Sequence, residues 1–176
     1  IRNCLVGSEM CIRDRICPVT QPVDEVPDIF RFLNISSPSL RFFVAHTFSS
    51  FVGILTRKDT FKIAFSPEPI SENFSIRGGG DLALSSNVYI KTSEDLVFAL
   101  SSAPFLVGRE QELDVPTKIL FGEQDKVLDA KLHGEKFAKL SGAKIKILSG
   151  KGHMLPLTQP EECSAFIRKM MNETLI

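Results

Sequence analysis

The sequence predicts an α/β protein in which a long helical region precedes a strand–helix–strand–helix series with parallel strands. Three observations carry this. Two short apolar runs, "VPTKILFG" at 115–122 and "AKIKIL" at 143–148, each run into a glycine-bearing turn, as buried parallel strands do. The segment between them, "KVLDAKLHGEKFAKLSG" at 126–142, is amphipathic at the helical period and stops on Gly142. After the second run, Cys163, Phe166, Ile167, Met170 and Met171 form one helical stripe suited to packing on a sheet. A helix joining two strands of one sheet implies a right-handed parallel crossover, so two adjacent parallel strands are expected.

Bulk properties narrow the function classes. The chain has 176 residues, the size of one ordinary domain or of a piece of a larger one. With 43% hydrophobic and 24% charged residues, it can bury a real core. Lys plus Arg equals Asp plus Glu at 21 each, so nothing points to nucleic acid or an anionic membrane as partner. The longest apolar segment, "LRFFVAHTFSSFVGIL" at 40–55, is broken by Arg41, His46 and Gly53, so no membrane-spanning helix is expected. The four cysteines, Cys4, Cys11, Cys17 and Cys163, form no C-x-x-C pair and have no histidine partners at zinc-site spacing. Neither a metal site nor a disulfide framework is expected, and Cys163 reads as a small core residue.

The elements follow in order. Residues 1–15, "IRNCLVGSEMCIRDR", fit no secondary-structure period and lack the apolar region of a signal peptide. They resemble a peptide found at the ends of translated environmental transcript assemblies, where adapter sequence has been read through as protein. They are therefore set aside as a non-native leader, with the native chain expected to continue upstream. Residues 16–37 read as a connection with one short helix at "DIFRFL". A helix over 39–55 follows, with Leu40, Phe43, Val44, Phe48, Phe51, Val52 and Leu55 at helical spacing. His46 on it reads as a core or pocket-lining histidine. Helices are also expected over "RKDTFKIAF", "DLALSSNVYI" and "SEDLVFALSS", the last capped by Ser93. Phe42, Phe43, Phe48, Phe51 and Phe65 are expected to divide between core and an apolar pocket wall. "RGGGD" at 77–81 lacks the frame of a phosphate-binding loop and reads as a plain loop. In the final helix, Thr158 and Glu161 have capping-box spacing, and Pro160 suits the first turn.

The chemistry is expected in the loops after the strands, because an open parallel sheet presents its functional groups beyond the carboxyl ends of its strands. The first strand leads into "FGEQDKV", which places Asp125 three residues past Gly122. The second leads into "SGKGHML", which places His153 past Gly150 and Gly152. Adjacent parallel strands bring both loops to one edge, where a carboxylate fixes the imidazole tautomer and leaves the other ring nitrogen as a base. Asp125 also stands where it can cap the helix that follows it. Glu123 and Asp129 are weaker acid candidates, the first too near the strand end and the second on a solvated helix turn. His133, among Lys131, Glu135 and Lys136, reads as a surface residue. Met154 and Leu155 flank His153 as candidate pocket residues, with core packing as the default.

From "VPTKILFGEQD" to "GKGHMLPLTQPEECSAFI" the chain resembles the C-terminal part of the α/β-hydrolase fold family. The shared pattern is a proline-led strand, G-x-x-D, a helix and a strand, G-x-G-H with an apolar residue, and a helix opened by "PEE". It covers residues 112–173. The resemblance implies Asp125 as triad acid and His153 as triad base. It also implies residues 16–111 as a helical lid and 112–176 as the end of the core. "FSPEPISENFSIRGGGDLALSS" looks like the lid of a bacterial subgroup of the family. The partner implied is a small, largely apolar ester or related substrate, with no metal, no organic cofactor, no nucleic acid and no membrane. A cytoplasmic location is the default expectation. The family's nucleophile stands upstream of the lid in a G-x-S-x-G turn, and these 176 residues contain no G-x-S-x-G. The implied protein is thus a serine-type hydrolase whose nucleophile lies outside this chain, so the chain alone is inactive. Three alternatives stand beside it: an aspartate-nucleophile dehalogenase or epoxide hydrolase, a non-catalytic ligand-binding module of the same fold, and a fragment with no independent role.

Overall fold

A three-stranded parallel sheet in the order β1–β2–β3 organises the half of the chain that carries Asp125 and His153. The computed structural model describes residues 13–22, 26, 28–47, 58–71, 73–79 and 85–174. In chain order the strands and α-helices are β1 Arg13–Ile16, α1 Pro38–Thr47, α2 58–65, α3 Phe74–Arg77, α4 Ser86–Ser102, β2 Thr117–Gly122, α5 Phe137–Ser141, β3 Lys144–Leu148, α6 Leu155–Thr158 and α7 Pro160–Thr174. They fall into two units, one drawn from Ile1–Gln21 with Val107–Ile176 and the other from Pro22–Leu106.

In the first unit β2 is central and buried along its whole length, with Ile119, Leu120 and Phe121 fully enclosed. Cys17, Ala130, Phe137, Leu155, Cys163 and Phe166 pack into the same core. Two strands were expected, and the described residues contain three. Arg13–Arg15, set aside on sequence, begin β1, which pairs in parallel with β2 from Arg13 opposite Thr117 to Ile16 opposite Leu120. "RDRI" has no apolar alternation and joins through its backbone, so no side-chain period reveals it. The expectation of a buried β3 is also corrected. Ile145 and Ile147 pack toward the core while Lys144 and Lys146 are exposed, and Lys146 Nζ lies 2.7 Å from Glu162 Oε2. An alternating, lysine-bearing strand suits a sheet edge better than its centre.

The crossover from β2 to β3 begins as a π-helix over Ala130–Lys136 and continues into α5. It ends, as expected, on Gly142, whose φ of +73° is the left-handed conformation glycine adopts most readily. A Cβ on Gly134 would lie 2.7 Å from Ile145 Cδ1 and 2.9 Å from Phe121 Cδ2, so glycine lets this helix sit close on the sheet. The reading of His133 as a surface residue is wrong. It is 3% exposed, and its Nδ1 accepts from the backbone N–H of Thr20 and of Gln21, both at 3.3 Å. Its carbonyl accepts from Thr20 Oγ1 at 2.6 Å. The wider π winding changes which residues face inward, so His133 and Gly134 are both buried where a 3.6-residue period puts His133 among its charged neighbours. Past β3, α7 opens at Pro160 with Glu161 and Glu162 in its first turn. The expected Thr158 cap is not made, because Thr158 ends α6 and its hydroxyl donates to the Met154 carbonyl at 3.2 Å.

The second unit has its own core of Leu33, Ala45 and Tyr89, joined by Phe30, Phe32, Ile35, Val44, Ile90 and Leu96. "DIFRFL" is a 3-10 helix, Asp28–Leu33. The helices expected over 81–90 and 93–102 are continuous from Ser86 to Ser102 as α4, with 81–84 outside the described residues; the Ser85 hydroxyl caps its first turn, accepting from Val88 N at 3.4 Å. Ser93, the expected cap, is fully buried in mid-helix, where it accepts from Arg41 Nε at 2.9 Å and donates to the Leu33 carbonyl. Arg41 is buried as well, held by the Ile35 carbonyl and by Glu94 Oε1 at 3.4 Å. His46 is exposed rather than core or pocket-lining; its Nδ1 pairs with the Phe42 carbonyl at 2.9 Å and its ring lies on Phe42. Of the five phenylalanines singled out, Phe65 is buried, Phe42 and Phe43 are exposed, and Phe48 and Phe51 lie outside the described residues. Among the described residues no helix is long and apolar enough to cross a membrane.

The His133 contacts make stability depend on pH. Burial lowers its pKa below the usual 6.5, against the opposing pull of Asp129 and Asp125. The unfolded chain therefore takes up the proton first. This contribution is complete above pH 6.5 and is lost as pH falls through the lower folded value. The urea midpoint of the native chain is expected to drop between pH 7 and pH 5.5, and His133→Ala should flatten that drop. At pH 7.5 the same variant, which strands two backbone donors, should cost about 2 kcal/mol.

Candidate active site

The loops after β2 and β3 are stitched together before any functional side chain is placed. Glu123 N donates to the Leu148 carbonyl at 3.0 Å, and Gln124 N to the Lys151 carbonyl at 2.8 Å. A Cβ on Gly122 would overlap the carbonyl oxygens of Lys151 and Gly152, so only glycine permits this approach. Glu123 is a clasp between the two loops: its Oε2 accepts from Ser149 Oγ at 2.7 Å and Gly150 N at 2.9 Å. The Ser149 hydroxyl, and then the Gly150 N–H, hold its carboxyl below the usual range. Gly150 turns the chain with a φ of +67°.

On this clasp the structure brings Asp125 and His153 together, with His153 Nδ1 2.8 Å from Asp125 Oδ2. The Asp125 side chain is fully buried and that of His153 is 23% exposed. Asp125 Oδ1 accepts from Val127 N at 2.8 Å and Leu128 N at 2.9 Å, so the turn-capping role is filled by the other oxygen of the same carboxylate. Because a carboxylate only accepts, Nδ1 carries the proton and Nε2 keeps its lone pair in the neutral ring. An imidazole held in this way takes a proton from a hydroxyl or a water and returns it. Asp129 is exposed and caps the π-helix, accepting from Lys131 N at 2.8 Å. Met154 is half-buried, while Leu155 is fully enclosed in the core, the default expected for it.

Cys17 was not singled out on sequence, yet it belongs to this cluster. Its N–H donates to the Leu120 carbonyl at 2.9 Å, extending the β1–β2 ladder by one bond. Its φ of +44° is left-handed, a conformation a non-glycine residue adopts at a cost of roughly 1–2 kcal/mol. Ligand atoms of Cys17, Asp125 and His153 lie within 4.8 Å of one another. Burial, and then the Asp125 charge, push the Cys17 thiol up to about 12, so it is protonated and unreactive at neutral pH. No spacing in the sequence connects Cys17 to the other two; only β1 does.

No protein-family model matches the chain, and no curated protein matches it. Solved structures do. MenH from S. aureus is 23% identical with a TM-score of 0.62, over 93% of this chain and 60% of that one. MGS-M2, an alpha/beta hydrolase enzyme from a Medee basin deep-sea metagenome library, is 14% identical with a TM-score of 0.56, over 90% and 55%. A thermophilic esterase from Thermogutta terrifontis is 15% identical with a TM-score of 0.54, over 93% and 56%. At such identities the likeness is one of fold, and the chain spans 55–60% of the length of these three proteins.

Gly122→Ala should force the two loops apart. A loss of about 1–3 kcal/mol in urea unfolding is expected. The native chain should show a downfield proton resonance for His153 Nδ1–H, and the same variant should weaken it.

Proposed function

We propose, from the premise that this chain has the α/β-hydrolase fold, that it supplies the acid and the base of a serine-type hydrolase site. In this reading Asp125 is the triad acid and His153 the base, and the nucleophile lies outside these 176 residues. The observation that carries it is the 2.8 Å bond between a fully buried carboxylate and a partly exposed imidazole, in the loops after adjacent parallel strands. Asp125 holds the ring in one tautomer and stabilises the imidazolium that forms. His153 Nε2 takes the proton of an attacking serine and passes it to the leaving alkoxide. It then draws a proton from the water that releases the acyl group. A small, largely apolar ester is the substrate class this reading favours, supported by the esterase among the similar folds.

The test begins with the reading frame upstream of the Ile16 codon. It should continue into a G-x-S-x-G turn, and the extended protein should hydrolyse p-nitrophenyl butyrate. Asp125→Asn in that protein should lower kcat by about 10⁴-fold, as loss of the correct tautomer does in such triads. The 176-residue chain alone should leave the ester at its background rate. An extended protein that keeps full activity with Asp125→Asn or His153→Ala would refute the assignment.

A further inference from the structure

We propose that Cys17, Asp125 and His153 form a binding site for a thiophilic divalent cation, Zn²⁺ or Cd²⁺, which displaces the proton shared by the acid and the imidazole. One sulfur, one carboxylate oxygen and one imidazole nitrogen make a donor set that zinc accepts, with a fourth position left for water. Their ligand atoms already lie within 4.8 Å of one another. A tetrahedral ion with bonds of about 2.0–2.3 Å wants donors roughly 3.3–3.8 Å apart, so movements on the order of 1 Å bring the longest separation into range.

The surroundings favour the ion in three ways. The donors are anchored: Asp125 by Val127 N and Leu128 N, and Cys17 by its bond to the Leu120 carbonyl. Such outer contacts fix the orientation of metal ligands. His153, the one partly exposed member, gives the ion a way in and a place for the fourth ligand. Charge also balances. A divalent cation releases the Cys17 thiol proton to solvent, and the His153 Nδ1 proton moves to Nε2 by exchange with solvent, so thiolate, carboxylate, neutral imidazole and cation sum to zero. A neutral cluster is the one that a buried site tolerates best. The proposal stands on this geometry whether or not the pair is catalytic. An ion held there removes the hydrogen bond that a triad needs, so it acts as an inhibitor.

The test titrates Cd²⁺ into the reduced 176-residue chain and follows the thiolate-to-cadmium charge-transfer band in the ultraviolet. One ion per chain is expected, with the band retained in Cys4→Ser/Cys11→Ser and lost in Cys17→Ala. His153→Ala, a change at a partly exposed position, should weaken binding at least tenfold. In the native chain, cadmium should abolish the His153 Nδ1–H proton resonance, a readout that needs no variant to fold. A band that survives Cys17→Ala, binding indifferent to His153→Ala, or an Nδ1–H signal unchanged at saturating cadmium would each overturn the proposal.

Discussion

Burying a carboxylate costs several kcal/mol unless its oxygens meet donors, and Asp125 meets this condition on both sides. The N–H groups of Val127 and Leu128 take one oxygen and His153 Nδ1 the other. Two of these donors belong to its own turn and the third to the loop after β3. The carboxylate is therefore satisfied only while β2 and β3 keep their register and the glycine contact at 122 stays closed. Much of the surrounding detail serves that condition: the Glu123 clasp, the bare Gly122, and the left-handed turn at Gly150.

What the sequence made legible is local in character. A proline-led apolar run, a glycine-closed helix and a glycine-flanked histidine each report through near neighbours. The parallel crossover rule then places Asp125 and His153 at one edge without further information. The residues that escaped depend on partners distant in the chain. Cys17 follows a strand with no apolar alternation, so neither the strand nor the thiol's approach to Asp125 leaves a pattern. His133 sits among charges at a helical period, and the π winding that turns it inward is invisible to a rule built on 3.6 residues. Ser93 satisfies the local rule for a cap, but burial beside Arg41 and the Leu33 carbonyl overrides that preference.

One constellation can serve two chemistries, because a proton and a metal ion compete for the same lone pairs. In the proposed metal site, the thiol of Cys17 is the donor that would let an ion compete with the proton between Asp125 and His153. The fold sets the positions of these groups; the chemistry follows from their identities.

The order of β1 and β2 has a kinetic side. Pairing β2 with β3 closes a short stretch, since Lys118 faces Lys144. Pairing β1 with β2 sets Ile16 against Leu120, across a segment about four times longer. Loop-closure entropy makes that step dearer by about 1.2 kcal/mol, and non-local pairings form slowly. Loop closure therefore favours the β2–β3 pair, and with it the Asp125–His153 contact, over the β1–β2 pair that brings Cys17 in.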